Sequence, residues 1–238
     1  MTLEIIAHRG FSSIAPENTM SAFHSAIAHN ADSIEFDLQL SADGMPIIFH
    51  DQKLDRITGN FDKVREKTWE ELQQIDAGTW FNPEFSQEKI PSFAEALKTL
   101  KKVKKYLYFD VKPYYEWSIS DIENLVNLII NEGVQDKCII TSFNEKFLEK
   151  FRQVSPEFII GHIVANEDVY LTQLEQIVKS GDKLISSEYH VLLKNPSLIE
   201  RSRDLGVDIV VWTVDDRHDL QQLINLGIER IVTNCLIG

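Results

Sequence analysis

Short runs of β-branched and aromatic residues alternate with longer amphipathic stretches along the whole chain, and this alternation limits the possible folds more than any other feature. Each repeat is long enough for a strand followed by a helix, the unit from which parallel sheets are built. The predicted strands cover 3–7, 33–40, 106–111, 138–141, 158–163, 183–186, 208–212 and 230–233. Eight such units favour an α/β fold of the closed (β/α)8 type, a TIM barrel, over an open doubly wound sheet.

The length of the chain and its helix-start signals agree with that architecture. At 238 residues the chain lies within the range that one α/β barrel occupies, so we expect a single domain over 1–238. A Ser or Thr followed three residues later by Glu has the spacing of a capping box and predicts where a helix begins. This spacing occurs at Ser92, Ser120, Ser142 and Thr172.

A ninth apolar segment, 46–49, follows the second predicted strand too closely for a crossover helix to lie between them. We therefore expect it to form the second arm of a hairpin. Asp43-Gly44 is a preferred two-residue turn between antiparallel strands. Counting outward from that turn places His50 opposite Asp37, and a shift of one residue would turn His50 to the other face.

About forty residues, 51–91, separate this hairpin from the next predicted helix, and a minimal βα unit does not need them. They include a predicted short helix at 68–75 and the aromatic residues Trp80, Phe81 and Phe85. Aromatic residues are scarce in disordered segments. We predict a small inserted subdomain over one end of the barrel, after the second strand and its hairpin.

The charge balance narrows the partners of the chain. Thirty-seven Asp and Glu residues against 24 Lys and Arg give a net charge of −13, which disfavours an extended nucleic-acid-binding face and docking on anionic membranes. We expect a small-molecule substrate, no nucleic acid and no stable membrane association, whereas the sequence predicts no particular oligomer. Apolar runs stay short of membrane-spanning length, and the first residues lack a secretory signal pattern. With only two cysteines, Cys138 and Cys235, we expect a cytoplasmic protein.

Polar residues are concentrated at the ends of the predicted strands. Catalytic groups of barrels of this type come from the C-terminal ends of the strands. Because side chains alternate along a strand, residues two apart on one strand lie on the same face. The residues placed at these ends are His8, Arg9, Glu35, Asp37, His50, Asp110 and Lys112.

Three of these residues, Glu35, Asp37 and Asp110, are carboxylates that would repel one another in a shared cavity unless a cation neutralised them. Carboxylate oxygens suit Mg²⁺ or Ca²⁺, so the sequence predicts a divalent cation. Arg9 and Lys112 would add positive charge and hydrogen-bond donors for an anionic phosphate that bridges to the ion.

The two histidines, His8 and His50, complete this set. With an ordinary pKa near ~6.5, an imidazole can accept or donate a proton near neutral pH. Cleavage of a phosphodiester needs one group that activates a nucleophile and another that protonates the departing alkoxide. The predicted chemistry is therefore metal-assisted phosphodiester cleavage.

Several separated motifs, in the same order, resemble those of the glycerophosphodiester phosphodiesterase family. The similarity extends over the chain. The motifs are His8-Arg9-Gly10, Pro16-Glu17-Asn18-Thr19, Glu35-x-Asp37, Asp43-Gly44 before His50-Asp51, Leu54-Asp55-Arg56-x-Thr58-Gly59, Ile90-Pro91-Ser92-Phe93-x-Glu95 and Trp212-Thr213-Val214.

This resemblance implies a TIM barrel with a small inserted subdomain and assigns a role to each site residue. It implies a metal held by Glu35, Asp37 and Asp110, acid/base chemistry by His8 and His50, phosphate contacts from Arg9 and Lys112, and a glycerol-side contact from Trp212. From its place at a strand end alone, Trp212 fits packing at the rim as well as substrate binding.

The chain departs from the family pattern in two places. The family usually has Glu-x-Lys on the third strand, whereas this chain has Asp110-Val111-Lys112, one methylene shorter. The acidic, proline-containing ending of the family is replaced by Thr233-Asn234-Cys235-Leu236. A contact made by the family's acidic residue there is not carried over.

The sequence therefore predicts a metal-dependent phosphodiesterase that hydrolyses glycerophosphodiesters to glycerol 3-phosphate and an alcohol, with His8 as the first base and His50 as the acid. A lysophospholipase D or a cyclising phospholipase acting on lysolipids is the alternative within enzymes. A catalytically silent barrel that only binds ligands is the alternative outside them.

Overall fold

Nine strands organise the part of the chain that the computed structural model describes, residues 3–236. Eight of them are parallel neighbours, and the first pairs with both the second and the last, which closes the sheet into a barrel. The (β/α)8 prediction is thereby confirmed. The strands are β1 Glu4–His8, β2 Ser33–Leu40, β3 Pro46–Ile48, β4 Leu107–Val111, β5 Cys138–Ser142, β6 Ile159–Val164, β7 Leu184–Glu188, β8 Asp208–Trp212 and β9 Arg230–Thr233.

Helices lie between the strands and cover the outside of the barrel. Over residues 3–236 no helix is both long enough and apolar enough to cross a membrane. The α-helices are α1 Met20–Ala28, α2 Asp55–Thr58, α3 Trp69–Leu72, α4 Phe93–Leu100, α5 Ile119–Glu132, α6 Glu145–Val154, α7 Glu167–Ser180, α8 Tyr189–Lys194, α9 Ser197–Asp204 and α10 Arg217–Asn225. Short 3₁₀ turns occupy Val64–Glu66, Pro83–Phe85 and Gln135–Lys137.

The capping-box spacing predicts one of four helix starts correctly. The start predicted at Ser92 is confirmed, and those predicted at Ser120, Ser142 and Thr172 are wrong. Asn caps a helix as well as Ser does, and Thr172 lies inside α7 rather than before it. The observed N-caps of α4, α5, α6 and α7 are Ser92, Ser118, Asn144 and Asn166.

The interior of the barrel is closed beneath the C-terminal ends of the strands. A layer of buried apolar side chains comes from six different strands: Ile6, Tyr108, Ile139, Leu184, Val210 and Val232. Below it the Tyr108 hydroxyl donates to Glu4 Oε1 at 3.0 Å, and Arg230 Nε lies 3.4 Å from Glu4 Oε2. The barrel interior is therefore a packed core beneath the end at which the strands finish.

The hairpin between β2 and β3 forms with a different register from the predicted one. Gly44 donates its N–H to the carbonyl of Ser41 at 3.1 Å and has a φ of 78°, so the turn contains three residues rather than two. A type I turn followed by a left-handed glycine moves the pairing by one residue. The carbonyl of Asp37 accepts from Phe49 N–H at 3.1 Å, so the predicted pairing of Asp37 with His50 is wrong.

The chain between β3 and α4 contains α2, α3 and two of the 3₁₀ turns around a small apolar cluster of its own. The predicted helix at 68–75 is shorter than expected, Trp69–Leu72, and it begins with a capping box at Thr68. The cluster contains Ile47, Phe49, Leu54, Ile57, Val64, Leu72, Ala77 and Ile90. The division of the chain into one domain with a subdomain at about 51–91 stays a prediction.

Candidate active site

A cavity of about 250 Å³ opens at the C-terminal ends of the strands. All eight residues that the sequence predicts for the site line it, although they come from segments spread over the chain. They are His8, Arg9, Glu35, Asp37, His50, Asp110, Lys112 and Trp212. Seven of these residues were predicted from their places at strand ends and Trp212 from the family resemblance, and their roles remain predictions.

Three carboxylates, those of Glu35, Asp37 and Asp110, converge on one side of the cavity. Each offers an oxygen within 4.8 Å of the oxygens of the other two, and all three residues are buried. Asp110 Oδ1 is buried without a hydrogen-bond partner among the described residues. An acceptor of this kind is costly unless a cation binds it, so the three side chains fit a hard divalent cation.

The surroundings of these three carboxyl groups shift their pKa values in different directions. Burial, followed by repulsion from Asp37, raises the pKa of Glu35 well above its ordinary value. Burial and the charge of Asp37 also raise the pKa of Asp110. Burial would raise the pKa of Asp37 as well, but the ammonium of Lys112 and the guanidinium of Arg9 outweigh it and lower that pKa. The two cations therefore favour the ionised form of Asp37, whereas burial and mutual repulsion oppose ionisation of Glu35 and Asp110, and a further positive charge would relieve that repulsion.

The two cations of the cavity lie against this group. Lys112 Nζ is 2.6 Å from Asp37 Oδ1 and 2.6 Å from Asp110 Oδ2. Arg9 Nε is 3.2 Å from Asp37 Oδ2, and its Nη1 donates to Glu17 Oε1 at 2.7 Å. The described site therefore gathers more negative than positive groups, which suits a metal ion better than a bare anion.

The backbone after β1 is shaped so that Arg9 reaches the carboxylates. Arg9 has a φ of 55° and its N–H donates to Glu35 Oε2 at 3.0 Å. Gly10 has a φ of 81°, and a Cβ there would lie 2.7 Å from the backbone of Ala22 in α1. The His-Arg-Gly motif thus combines a side chain for the cavity with a close approach that only glycine permits.

His8 lies at the end of β1, and one nitrogen of its ring has a hydrogen-bond partner while the other lies near Glu35. Its Nδ1 is 2.7 Å from Asn234 Oδ1, and its Nε2 is 3.9 Å from Glu35 Oε2. Burial, together with the neighbouring Arg9, lowers the pKa of His8 from 6.5 to about 4. The imidazole is therefore neutral at physiological pH and can accept a proton.

His50 lies in the loop after β3 and lines the cavity, as expected, although the hairpin register predicted for it is wrong. Its Nδ1 is 2.6 Å from Asp51 Oδ1, and Arg56 Nε donates to Asp51 Oδ2 at 2.6 Å. Although burial opposes ionisation, these two donors lower the pKa of Asp51 to about 2. Arg56 also donates to Glu17, so the insertion is tied to the loop after β1.

Several further residues of the site were not assigned a role from local sequence signals. Asn18 Nδ2 donates to Asp37 Oδ2 at 2.6 Å, and Glu17 accepts from both Arg9 and Arg56. The Pro-Glu-Asn-Thr motif was noticed, but it resembles an ordinary helix start. Asn234 gave no local signal, because it is 226 residues from the histidine that it contacts.

The wall opposite the carboxylates is mainly apolar. The rings of Trp212 and Phe143 meet edge to face with their centroids 6.2 Å apart, and Phe143 is 44% exposed. Ile163, Val210 and Val232 continue this wall into the cavity. The site thus has one half lined by charged groups and another half lined by apolar side chains.

Comparisons with known proteins agree with this arrangement. Residues 8–236 match the model of the glycerophosphoryl diester phosphodiesterase family. A glycerophosphodiester phosphodiesterase of Caldanaerobacter subterraneus is 31% identical over 232 residues, which are 97% of this chain and 93% of that protein.

Solved structures give the same result. A phosphodiesterase of Oleispira antarctica, in complex with the product sn-glycerol-3-phosphate, superposes with a TM-score of 0.91 at 27% identity, covering 98% of this chain and 93% of the other. A glycerophosphodiester phosphodiesterase from Agrobacterium tumefaciens has a TM-score of 0.84, also at 27% identity, over 98% and 96% of the two chains. The chain therefore belongs to the glycerophosphoryl diester phosphodiesterase family and is a phosphodiesterase.

Proposed function

We propose that this protein hydrolyses glycerophosphodiesters to glycerol 3-phosphate and an alcohol, with a divalent cation and two histidines. The observation that carries the proposal is the convergence of three carboxylates, two cations and two imidazoles on one cavity. The Oleispira relative supports the product, because it binds sn-glycerol-3-phosphate. A cytoplasmic location, consistent with two free cysteines, is part of the same proposal.

Glu35, Asp37 and Asp110 would hold the cation, Mg²⁺ or Ca²⁺. Such an ion supplies positive charge for the phosphate and lowers the pKa of a hydroxyl that binds to it. Asp110 is one methylene shorter than the glutamate usual in the family, so its oxygens extend less far from β4.

Arg9 and Lys112 would bind the phosphate. Both side chains are already oriented by carboxylates, Arg9 by Glu17 and Asp37 and Lys112 by Asp37 and Asp110. Orientation before binding reduces the side-chain entropy that is lost when the anion arrives. The two residues add charge-assisted hydrogen bonds that a neutral ligand could not use.

The histidines would move the protons. His8 is neutral, so its Nε2 can take the proton from the glycerol hydroxyl next to the phosphate as that oxygen attacks phosphorus. His50, with Nδ1 held by Asp51, would protonate the departing alcohol. The product of that step is a cyclic phosphate, and water then opens it with the two histidines in exchanged roles.

Trp212 would contact the glycerol side of the substrate, since its ring lies in the apolar wall facing the carboxylates. The same wall favours the alternative of a lysolipid substrate, because the partly exposed Phe143 extends it toward solvent. Glycerophosphodiesters remain the preferred substrates because the cavity, at about 250 Å³, is small for an acyl chain.

The test is turnover of glycerophosphocholine by the purified protein, followed through release of glycerol 3-phosphate. We expect activity that EDTA abolishes and that Mg²⁺ or Ca²⁺ restores. His8→Ala and His50→Ala should each lose nearly all turnover, whereas His24→Ala, which removes an exposed histidine of α1, should keep it. A preference for long-chain lysolipids would support the lipase alternative. Absence of any turnover would support a silent binding protein.

A further inference from the structure

Two hydrogen-bonded side chains, those of Asp215 and Asn234, lead from the surface to His8. The Asp215 carboxylate accepts from Asn234 Nδ2 through Oδ2 at 2.6 Å. Asn234 Oδ1 in turn lies 2.7 Å from His8 Nδ1. Asp215 follows β8 and Asn234 follows β9, so two neighbouring strand ends hold the ring that ends β1.

The chemistry of the donors fixes the direction of each hydrogen bond between Asp215, Asn234 and His8. Asp215 Oδ1 accepts the backbone N–H of Asn234 at 2.7 Å and the hydroxyl of Thr233 at 2.9 Å, and an ionised carboxylate can only accept. The amide of Asn234 must therefore turn its NH₂ toward Asp215 and its oxygen toward His8. An amide oxygen can only accept, so His8 carries its proton on Nδ1 and leaves the Nε2 lone pair facing the cavity.

His50 is oriented differently. Its Nδ1 lies directly against the carboxylate of Asp51, with no residue between them. A carboxylate in direct contact stabilises an imidazolium, whereas the neutral amide of Asn234 orients His8 without placing a full negative charge on its ring. The two histidines are thus anchored through the same ring atom by groups of different charge.

We propose that Asp215 and Asn234 are positioning residues that hold His8 in the Nδ1–H tautomer and so keep Nε2 free to accept the substrate proton. The part of this inference that concerns catalysis rests on the proposed function. The part that concerns the tautomer does not, because it can be measured in the resting enzyme.

The sharpest perturbation is Asp215→Asn. The backbone N–H of Asn234 can only donate, so the new amide keeps its oxygen there and turns its NH₂ toward the NH₂ of Asn234. Two NH₂ groups cannot face each other at the 2.6 Å that separates these atoms in the wild type. The amide of Asn234 would rotate by 180°, present its NH₂ to His8 Nδ1, and force the proton of the ring onto Nε2.

The double variant Asp215→Asn with Asn234→Asp should reverse this change. The carboxylate at position 234 accepts from the amide at position 215 through one oxygen and from His8 Nδ1 through the other. Ser12 Oγ, which donates to Asn234 Oδ1 at 2.8 Å, keeps its partner as well. At a pH where the His8 ring is neutral, the tautomer should therefore return to Nδ1–H.

The experiment uses the full chain labelled with ¹⁵N at histidine, and long-range ¹H–¹⁵N spectra report which ring nitrogen of His8 carries the proton. His8→Gln assigns the signal. We expect Nδ1–H in the wild type, Nε2–H in Asp215→Asn, and Nδ1–H again in the double variant. Asp219→Asn is the matched control, because Asp219 undergoes the same change on α10 and pairs with Tyr189 rather than with Asn234.

Steady-state kinetics with glycerophosphocholine gives the second readout. Asp215→Asn should lower kcat roughly 10²- to 10⁴-fold, the range attributable to one general base, with KM little changed. The double variant should recover most of that loss, and Asp219→Asn should behave as wild type. A merely structural role would instead lower the melting temperature without changing the tautomer.

Two results would overturn the proposal. One is the wild-type tautomer in Asp215→Asn, which would show that Asp215 does not determine the tautomer of His8 through Asn234. The other is an altered tautomer with unchanged kcat, which would show that the tautomer of His8 does not matter for catalysis. If the wild type releases no glycerol 3-phosphate at all, the proposed function fails, whereas the spectra still decide the tautomer.

Discussion

Burial of His8 makes the stability of the fold depend on pH, and one substitution can isolate that dependence. The pKa of His8 is lowered from 6.5 to about 4, first by burial and then by Arg9. Between these values the unfolded chain binds a proton that the folded protein does not bind. Stability from this site is therefore complete above pH 6.5, falls as the pH drops toward 4, and falls no further below it. Integration gives a loss of about 3 kcal/mol between about pH 7 and pH 4.

His8→Gln removes the titrating ring and keeps a polar side chain of similar length. Urea unfolding in the presence of EDTA, followed by tryptophan fluorescence, gives the free energy of unfolding of both proteins across this pH range. We expect the wild type to lose about 3 kcal/mol relative to the variant as the pH falls. His24→Gln controls for the loss of an imidazole as such, since His24 is exposed. A relative change below about 1 kcal/mol would refute the assigned environment of His8.

Two further predictions follow from the same contacts. Asp51→Asn removes the carboxylate that His50 and Arg56 share, so kcat should fall about 10- to 100-fold while the melting temperature changes little; unchanged kcat would show that His50 needs no orientation. Gly10→Ala should lower the free energy of unfolding by about 2–4 kcal/mol, because its Cβ meets the backbone of α1 at a positive φ. Gly59→Ala also has a positive φ but meets no atom within 4 Å, so about 1 kcal/mol is expected, and equal losses in urea unfolding would contradict the steric argument.

Periodicity predicted most of the barrel because burial on both faces leaves a strong apolar signal in parallel strands. β2, β8 and β9 have the predicted bounds, and the other parallel strands differ by one or two residues at their ends. Local signals were less reliable where two structures share one sequence pattern. Asp43-Gly44 fits both a two-residue turn and the observed three-residue turn, and the difference is one residue of register.

In the site, too, periodicity predicted more than local signals did. Alternation along β2 and β4 was enough to bring Glu35 and Asp37 together with Asp110 and Lys112, because two adjacent strands fix their relative positions. The bond between His8 and Asn234 was not predicted, although a closed barrel brings the ends of its first and last strands together, because nothing local indicates which side chain after β9 turns toward His8. No pattern within either segment carries that information.

Everything proposed for the chemistry of this cavity requires that Glu35, Asp37 and Asp110 bind one divalent cation beside the two histidines. The most direct measurement is anomalous diffraction from crystals soaked in Mn²⁺, a redox-stable substitute for Mg²⁺ with strong anomalous scattering. We expect a single strong peak within about 2.0–2.5 Å of an oxygen from each of the three carboxylates. A peak located elsewhere, or no peak at a Mn²⁺ concentration that supports turnover, would contradict it.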